Sequence, residues 1–191
     1  MQLLKRYTII GILFVIIAGS ISHFVYEWTG DNHIVGFFFP INESTWEHMK
    51  LVFFPMLLYA LFMNWKLKDS YPCISSALPL GILVGTFAVP VIFYTYIGIL
   101  GKAYHLLNLL IFVLSVLLGF YVVYTFAKSC KAQKHQSLLF LLIFATIVAF
   151  LSFTYRPPNI ALFANPLAET SSIGITSFTL FSVITATKSL P

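Results

Sequence analysis

Residues 5–28 read KRYTIIGILFVIIAGSISHFVYEW, two basic residues followed by a long apolar run that ends in polar side chains. The run from Tyr7 to Trp28 is long enough to cross the hydrocarbon core of a bilayer, which needs about 20 apolar residues. A secretory signal peptide also starts with basic residues and an apolar stretch, but this run continues beyond the usual length of that stretch. The segment therefore predicts a first transmembrane helix, and further apolar runs follow it.

The composition of the chain agrees with a membrane protein. Of its 191 residues, 59% are apolar and 9% are charged, whereas soluble domains carry about 25% charged residues. Aromatic residues make up 17%, which is typical of lipid-facing helices with interfacial anchors. A water-exposed globule is thereby excluded, and the length leaves no room for a sizeable soluble domain. We expect an all-α integral membrane protein, a compact bundle of five to six transmembrane helices in a single polytopic domain over residues 1–191.

Five spans are predicted from the apolar runs, and a sixth is weaker. Pro79 and Pro90 are expected to kink the third span. The sequence Arg156-Pro157-Pro158 ends the fifth span, because proline disfavours helix in the residue before it. The last stretch is short and rich in serine and threonine, so it suits either a sixth span or a surface helix, and we favour the span. The predicted spans are residues 7–28, 44–65, 73–97, 104–127 and 136–155, with the weak sixth at 173–187.

The basic residues predict the orientation, because cytoplasmic loops carry an excess of lysine and arginine. Alternating spans put most of them on the side of the N-terminus, so we expect that side to be cytoplasmic. The net charge of +5 is therefore an orientation signal, and no nucleic-acid partner is expected. Cys73 and Cys130 lie on the same side, where we expect reduced thiols. The basic side holds Lys5, Arg6, Lys66, Lys68, Lys128, Lys131 and Lys134, and the other side holds Lys50, Lys102 and Arg156.

Polar residues gather at the opposite, outer ends of the predicted spans. His23 and Glu27 are one helical turn apart in span one, and His105 and Asn108 share a face at the start of span four. An ionisable group inside the hydrocarbon costs at least about 2.5 kcal/mol, so such groups normally face the bundle interior and pair. We therefore expect a polar cluster in the outer leaflet. Its predicted members are His23, Glu27, Asn42, Glu47, His48, His105 and Asn108.

Structural roles compete with functional ones at these positions. Ser44 and Glu47 fit a capping box, in which Ser44 accepts from the Glu47 amide and the Glu47 side chain reaches back. The polar pairs on spans one and four also suit hydrogen-bonded links between helices. His33 is expected to be solvated in a loop, and aromatic residues at the span ends are expected to form an interfacial belt. The predicted belt residues are Trp28, Trp46, Tyr104 and Tyr155.

Two blocks in this region resemble a known family. Residues 23–30 read HFVYEWTG and residues 39–50 read FPINESTWEHMK. They resemble the pattern H-x-x-x-E-W-[ST]-G followed by P-[VI]-N-E-S-x-W-E-H-x-K of small bacterial multi-span membrane proteins of unknown function. The resemblance implies a multi-pass protein of the bacterial cell membrane, which is the inner membrane where a bacterium has two. It supplies no catalytic role.

Three functions are open for the polar cluster. A non-enzymatic membrane subunit that docks a partner or senses a ligand fits the small size and the weak catalytic signal best. A metal-binding hydrolase acting at the outer leaflet is an alternative, because imidazoles and carboxylates can bind a divalent metal such as zinc and leave a position for water. A small oligomeric transporter component is another. The candidate metal ligands are His23, Glu27, His48 and His105, and the candidate catalytic bases are Glu43 and Glu47.

The expected partners follow from the fold class. The lipid bilayer surrounds the bundle, and about 190 residues would need to oligomerise to form a transport path. We therefore expect either a homo-oligomer or a membrane protein partner.

Overall fold

A computed structural model describes residues 2–165. These residues form an all-α bundle in which five helices are long and apolar enough to cross a membrane. The helices are α1 (Gln2–Trp28), α2 (His33–Gly36), α3 (Thr45–Leu67), α4 (Ile74–Leu100), α5 (His105–Ser129) and α6 (Gln136–Phe153). Helix α2 is a single turn in the loop between α1 and α3, and two 3-10 turns, Gln133–His135 and Ala161–Phe163, flank α6. We call the end of the bundle where α3 begins the outer end, and the opposite one the basic end.

All five of the stronger predicted spans are confirmed as helices, and their boundaries shift by a few residues. Helix α1 begins at Gln2, so that Lys5 and Arg6 lie within its first turns rather than before it. Helix α4 continues through Pro79 and Pro90 to Leu100. The weak sixth span at 173–187 lies outside the described residues.

Helices α4 and α5 pack against each other more extensively than any other pair in the described bundle. Gly81 and Gly85 of α4 lie one turn apart and face Gly119 of α5. A Cβ atom added at Gly81 would lie 2.6 Å from the Gly119 carbonyl oxygen, so no side chain fits there. Lipid tails are as apolar as leucine, and membrane helices therefore associate through close backbone packing of this kind rather than through the hydrophobic effect.

A disulfide joins Cys73 and Cys130 at the basic end. Cys73 precedes the first turn of α4 and Cys130 follows the last turn of α5. The two Cα atoms lie 5.2 Å apart although 57 residues separate them in sequence. The expectation of two reduced thiols is therefore wrong for this structure. The sequence positions conceal the contact, because only the antiparallel packing of α4 and α5 brings these helix ends together.

Lys50 is a charged residue buried at the outer end. Its ammonium group donates to the Glu47 carboxylate at 2.7 Å, to the Thr154 hydroxyl at 2.7 Å and to the Gly36 carbonyl at 3.0 Å. All three ammonium hydrogens are thus used. The acceptors belong to α3, to the residue after α6 and to the loop before α3. One buried cation therefore ties three separate segments together.

Ser44 and Glu47 begin α3 in a way that matches only half of the predicted capping box. The Ser44 hydroxyl accepts from the Glu47 amide at 3.3 Å, which confirms the first half. The second half is wrong, because the Glu47 carboxylate accepts from the Ile41 amide at 3.1 Å and from Lys50. The Ser44 amide instead donates to the Asn42 side chain at 2.9 Å. Glu47 therefore anchors the preceding loop rather than its own helix end.

Trp46 and His33 differ from their sequence-based expectations. Trp46 is buried and packs against Phe150 and Phe163, so its assignment to an interfacial belt is wrong. His33 is exposed, but its ring stacks on Tyr155 with centroids 3.7 Å apart. The Tyr155 hydroxyl also donates to the His33 carbonyl at 2.7 Å. The chain after α6 therefore folds back onto α3 and onto the loop between α1 and α3.

Replacing Lys50 with methionine should lower the free energy of unfolding by about 3–5 kcal/mol, because Glu47 would become an uncompensated buried charge. The double variant Glu47→Leu/Lys50→Met removes both charges and should recover most of that loss. Unfolding titrations in detergent micelles measure both variants. Equal destabilisation by the single and the double substitution would contradict the charge-pair role of Lys50.

The disulfide predicts the number of reactive thiols. Protein that is purified without reductant and unfolded in denaturant should take up no alkyl groups from an alkylating reagent. After reduction it should take up two. Intact-protein mass spectrometry counts them. The single variant Cys130→Ser is the matched control, since it should release one reactive thiol at Cys73 without reduction. Two alkylated cysteines in the unreduced wild type would show that the bond is absent.

Candidate functional site

A cavity of about 230 Å³ lies at the outer end of the bundle. Residues of α1 form one side and residues of α5 form the other, while Glu43 and the first turns of α3 form the back. Its polar lining consists of Ser20, His23, Glu43, His48, His105 and Asn108, and its apolar lining consists of Gly19, Phe24, Leu51, Leu109 and Phe112.

Glu43 lies between two histidines from different helices. One of its carboxylate oxygens is 3.5 Å from Nε2 of His23 on α1, and the other is 3.4 Å from Nε2 of His48 on α3. One possible ligand atom from each of the three residues lies within 4.8 Å of the other two. The side chains are 33%, 42% and 23% exposed for His23, Glu43 and His48. The group is therefore partly shielded but still accessible from the cavity.

The tautomer of His48 follows from its other ring nitrogen. Nδ1 lies 2.9 Å from the Ser44 carbonyl oxygen, which can only accept a hydrogen bond. Nδ1 must therefore carry a proton, and in the neutral imidazole Nε2 then presents a lone pair. In that form the lone pair faces the Glu43 carboxylate, and in the imidazolium form Nε2 donates to the carboxylate instead. Backbone carbonyls fix metal-binding histidines in this same way, by holding the ring nitrogen that does not bind the metal.

The separations among these groups suit a small divalent cation. Zinc binds imidazole nitrogen and carboxylate oxygen at about 2.0–2.2 Å, so tetrahedral ligand atoms lie about 3.3 Å apart. The two nitrogen-to-oxygen distances of 3.5 and 3.4 Å are close to that value, but they join the two imidazoles to two different carboxylate oxygens. The three ligand atoms lie within 4.8 Å of one another, so a bound metal would draw the side chains slightly closer. His23, Glu43 and His48 thus provide up to three ligands on the cavity wall.

The electrostatics at Glu43 favour the carboxylate form. The hydrogen bond with His23 lowers the pKa of the Glu43 carboxyl below its usual value, although partial burial opposes the effect. His48 and His105 lower the pKa of the Glu43 carboxyl further when their imidazoles are protonated. An ionised carboxylate is the form that binds a metal.

A second, smaller cavity adjoins the same group. It has a volume of about 20 Å³ and is lined in part by Glu43, His48 and Asn108. A site of this size with several polar neighbours can hold one water molecule. The Tyr96 hydroxyl donates to the Asn108 side-chain oxygen at 2.7 Å, which leaves the Asn108 amino group free to donate to a bound water or ligand.

Four residues of the predicted polar cluster line the larger cavity, and Glu43, predicted only as a catalytic base, joins them. The carboxylate that meets His23 is therefore Glu43 rather than Glu27. Sequence reasoning missed this pairing because Glu43 precedes the cap of α3, where helical periodicity does not apply. The four residues are His23, His48, His105 and Asn108.

The other three members of the predicted cluster lie apart from the cavity lining. Glu27 is exposed near the end of α1. The Asn42 side chain accepts from the Ser44 amide. The Glu47 carboxylate points to Lys50 and the Ile41 amide, so it is not placed to act as a base in the cavity.

The fold and the site define a multi-pass helical membrane protein with a polar cavity at one end of its bundle. The chain belongs to a family of unknown function (DUF6512), whose model matches residues 1–173. This match confirms the resemblance to a family without an assigned activity. No match was found among curated proteins or among solved structures.

Proposed function

We propose that this protein is a non-enzymatic, metal-dependent ligand-binding subunit of the membrane. It holds a divalent transition metal, zinc in the first place, through His23, Glu43 and His48. A zinc ion held there would keep a fourth position for water or another ligand, and the cavity lined by the same three residues would give that ligand access. The proposal joins the ligand-sensing role favoured by the sequence to the metal site that the sequence treats as an alternative.

The opposition of two acceptors at His48 and Glu43 carries this proposal. In the neutral form of His48, the lone pair on Nε2 faces an ionised carboxylate at 3.4 Å, and two acceptors repel each other without a cation between them. Either a proton on His48 or a metal ion can supply the positive charge. A metal could also bind Nε2 of His23, which lies 3.5 Å from the other oxygen of the same carboxylate.

The donor set favours zinc among the available metals. Imidazole nitrogen suits zinc, copper, iron and nickel, whereas magnesium and calcium prefer oxygen ligands. Sites with three protein ligands characteristically keep a fourth position open for water or substrate. Here the three candidate ligands line a cavity with room for a small molecule.

Hydrolysis is the second candidate, because two histidines and one glutamate also form the ligand set of catalytic zinc sites. A hydrolase needs a general base within hydrogen-bond reach of the metal-bound water. Among the described lining residues Glu43 is the one carboxylate, and it is used as a ligand. His105 is the available base. Zinc-dependent turnover of a lipid ester that is lost in His105→Gln would favour hydrolysis over binding alone.

Glu43→Gln should weaken zinc binding by about 100-fold or more, since loss of even an outer-shell partner costs about 10–100-fold. Glutamine keeps the size of the side chain but removes the charge. Glu27→Gln is the matched control, and it should change zinc affinity by no more than a few fold because Glu27 does not line the cavity. Competition between the protein and a chelating dye measures the affinities.

Two results would contradict the proposed function. Wild-type protein that retains no stoichiometric zinc after dialysis would leave a proton as the cation at His48. Equal loss of affinity in Glu27→Gln and Glu43→Gln would show that the effect is a general one of negative charge at the outer end.

A further inference from the structure

We propose that the ligand of this metal site is a single-chain amphiphile with an oxyanion head, either a carboxylate or a phosphate. The head coordinates the metal, and the chain runs along the apolar part of the cavity into the bilayer. This inference rests on the proposed function, because it needs the metal.

The lining of the cavity changes from polar to apolar along the direction in which a lipid is oriented. Helix α1 runs towards the outer end, so His23 lies further out than Gly19. Helix α5 runs the opposite way, so His105 lies further out than Phe112. The metal-binding group therefore occupies the outer part, and Gly19, Leu51 and Phe112 occupy the inner part. A lipid in the leaflet at this end also has its head outermost and its chain inward.

The inner limit of the cavity is a close packing of helices. A Cβ atom added at Gly19 would lie 2.6 Å from the Leu51 carbonyl oxygen and 2.6 Å from the Phe112 ring. Helix α1 therefore contacts both α3 and α5 at this level. A chain cannot continue between the helices beyond Gly19, so it must leave the cavity sideways.

The sides of the cavity are open to lipid. Phe24 on α1 is 48% exposed and Leu109 on α5 is 54% exposed, although both line the cavity. Apolar side chains in these positions border the hydrocarbon in a spanning helix. They leave a route for a chain between α1 and α5.

The charge of the site selects an oxyanion head. A divalent metal bound by two neutral imidazoles and one carboxylate keeps a net charge of +1, which an anionic oxygen would neutralise. Asn108 can donate a hydrogen bond from its amino group to a second oxygen of the same head. Carboxylates and phosphates both offer such paired oxygens.

The size of the cavity limits the part of the ligand between the helices to the head and the start of one chain. A cavity of about 230 Å³ has room for the head and the first carbons. The bilayer is as apolar as the cavity wall, so the chain adds little hydrophobic affinity. Its contribution is to hold the head at the depth of the metal, which raises the effective concentration.

The test uses the full chain in nanodiscs of phosphatidylcholine, loaded with Co²⁺ as a spectroscopic substitute for zinc. Decanoate and decyl phosphate should change the visible spectrum of the bound Co²⁺, and the stronger of the two identifies the head. Decanol lacks the anion and should cause no change. Acetate lacks the chain and should need at least about tenfold more ligand in bulk solution.

Leu109→Trp blocks the side of the cavity without removing a metal ligand. It should weaken decanoate and decyl phosphate binding at least about tenfold while Co²⁺ binding persists. Leu110→Trp is the matched control, since Leu110 is similarly exposed but does not line the cavity. It should leave the binding of Co²⁺ and of both amphiphiles unchanged.

The outcomes separate the two proposals. Absence of Co²⁺ binding in the wild type would overturn the proposed function. Co²⁺ binding without a response to either amphiphile, or with equal responses to acetate and decanoate, would overturn the amphiphile alone. A Leu109→Trp protein that fails to fold does not affect the wild-type comparison among decanoate, decanol and acetate, which decides the question by itself.

Discussion

The buried ion pair between Lys50 and Glu47 is the constraint on which the outer end of this bundle depends. Removing two charges from water is costly, and the cost is offset only when hydrogen bonds use the remaining donors and acceptors. Here the ammonium group reaches Glu47, Thr154 and the Gly36 carbonyl, and the carboxylate also accepts from the Ile41 amide. The loop before α3 and the end of α6 are thereby fixed to the first turns of α3.

This anchored loop presents Glu43 to the two histidines. Glu43 lies between Ile41, whose amide is bonded to Glu47, and Ser44, whose hydroxyl accepts from the Glu47 amide. Its carboxylate is therefore held just before the start of α3. There it reaches His48 on α3 and His23 on α1. The structural pair and the candidate metal site share the same turn, but they use different carboxylates. Glu47 supports the fold, and Glu43 is the proposed metal ligand.

The sequence predicts the helices well, because a membrane span leaves a strong and local signal. Apolar runs of sufficient length give all five helices within a few residues at most ends, and the family resemblance agrees with them. Long-range contacts are harder to predict. Neither the disulfide between Cys73 and Cys130 nor the burial of Trp46 follows from positions near span ends, since both depend on how the helices and the chain after α6 pack.

The candidate site could be predicted in part. Imidazoles at His23, His48 and His105 are expected to gather at one end of the bundle, because ionisable groups in spans are costly and face inward, and all three line one cavity. The choice of carboxylate depends on the loop between α1 and α3, whose path is set by tertiary contacts. Glu27 is one turn from His23 in sequence, yet Glu43 meets it in space. Helical periodicity does not predict the path of a loop.

The claim that an anchored loop carboxylate and two imidazoles form a metal site is tested most directly by zinc K-edge X-ray absorption of the zinc-loaded protein in nanodiscs. The structure predicts two imidazole rings and at least one carboxylate oxygen around zinc at about 2.0–2.2 Å. A spectrum dominated by oxygen ligands, with no imidazole scattering, would contradict it.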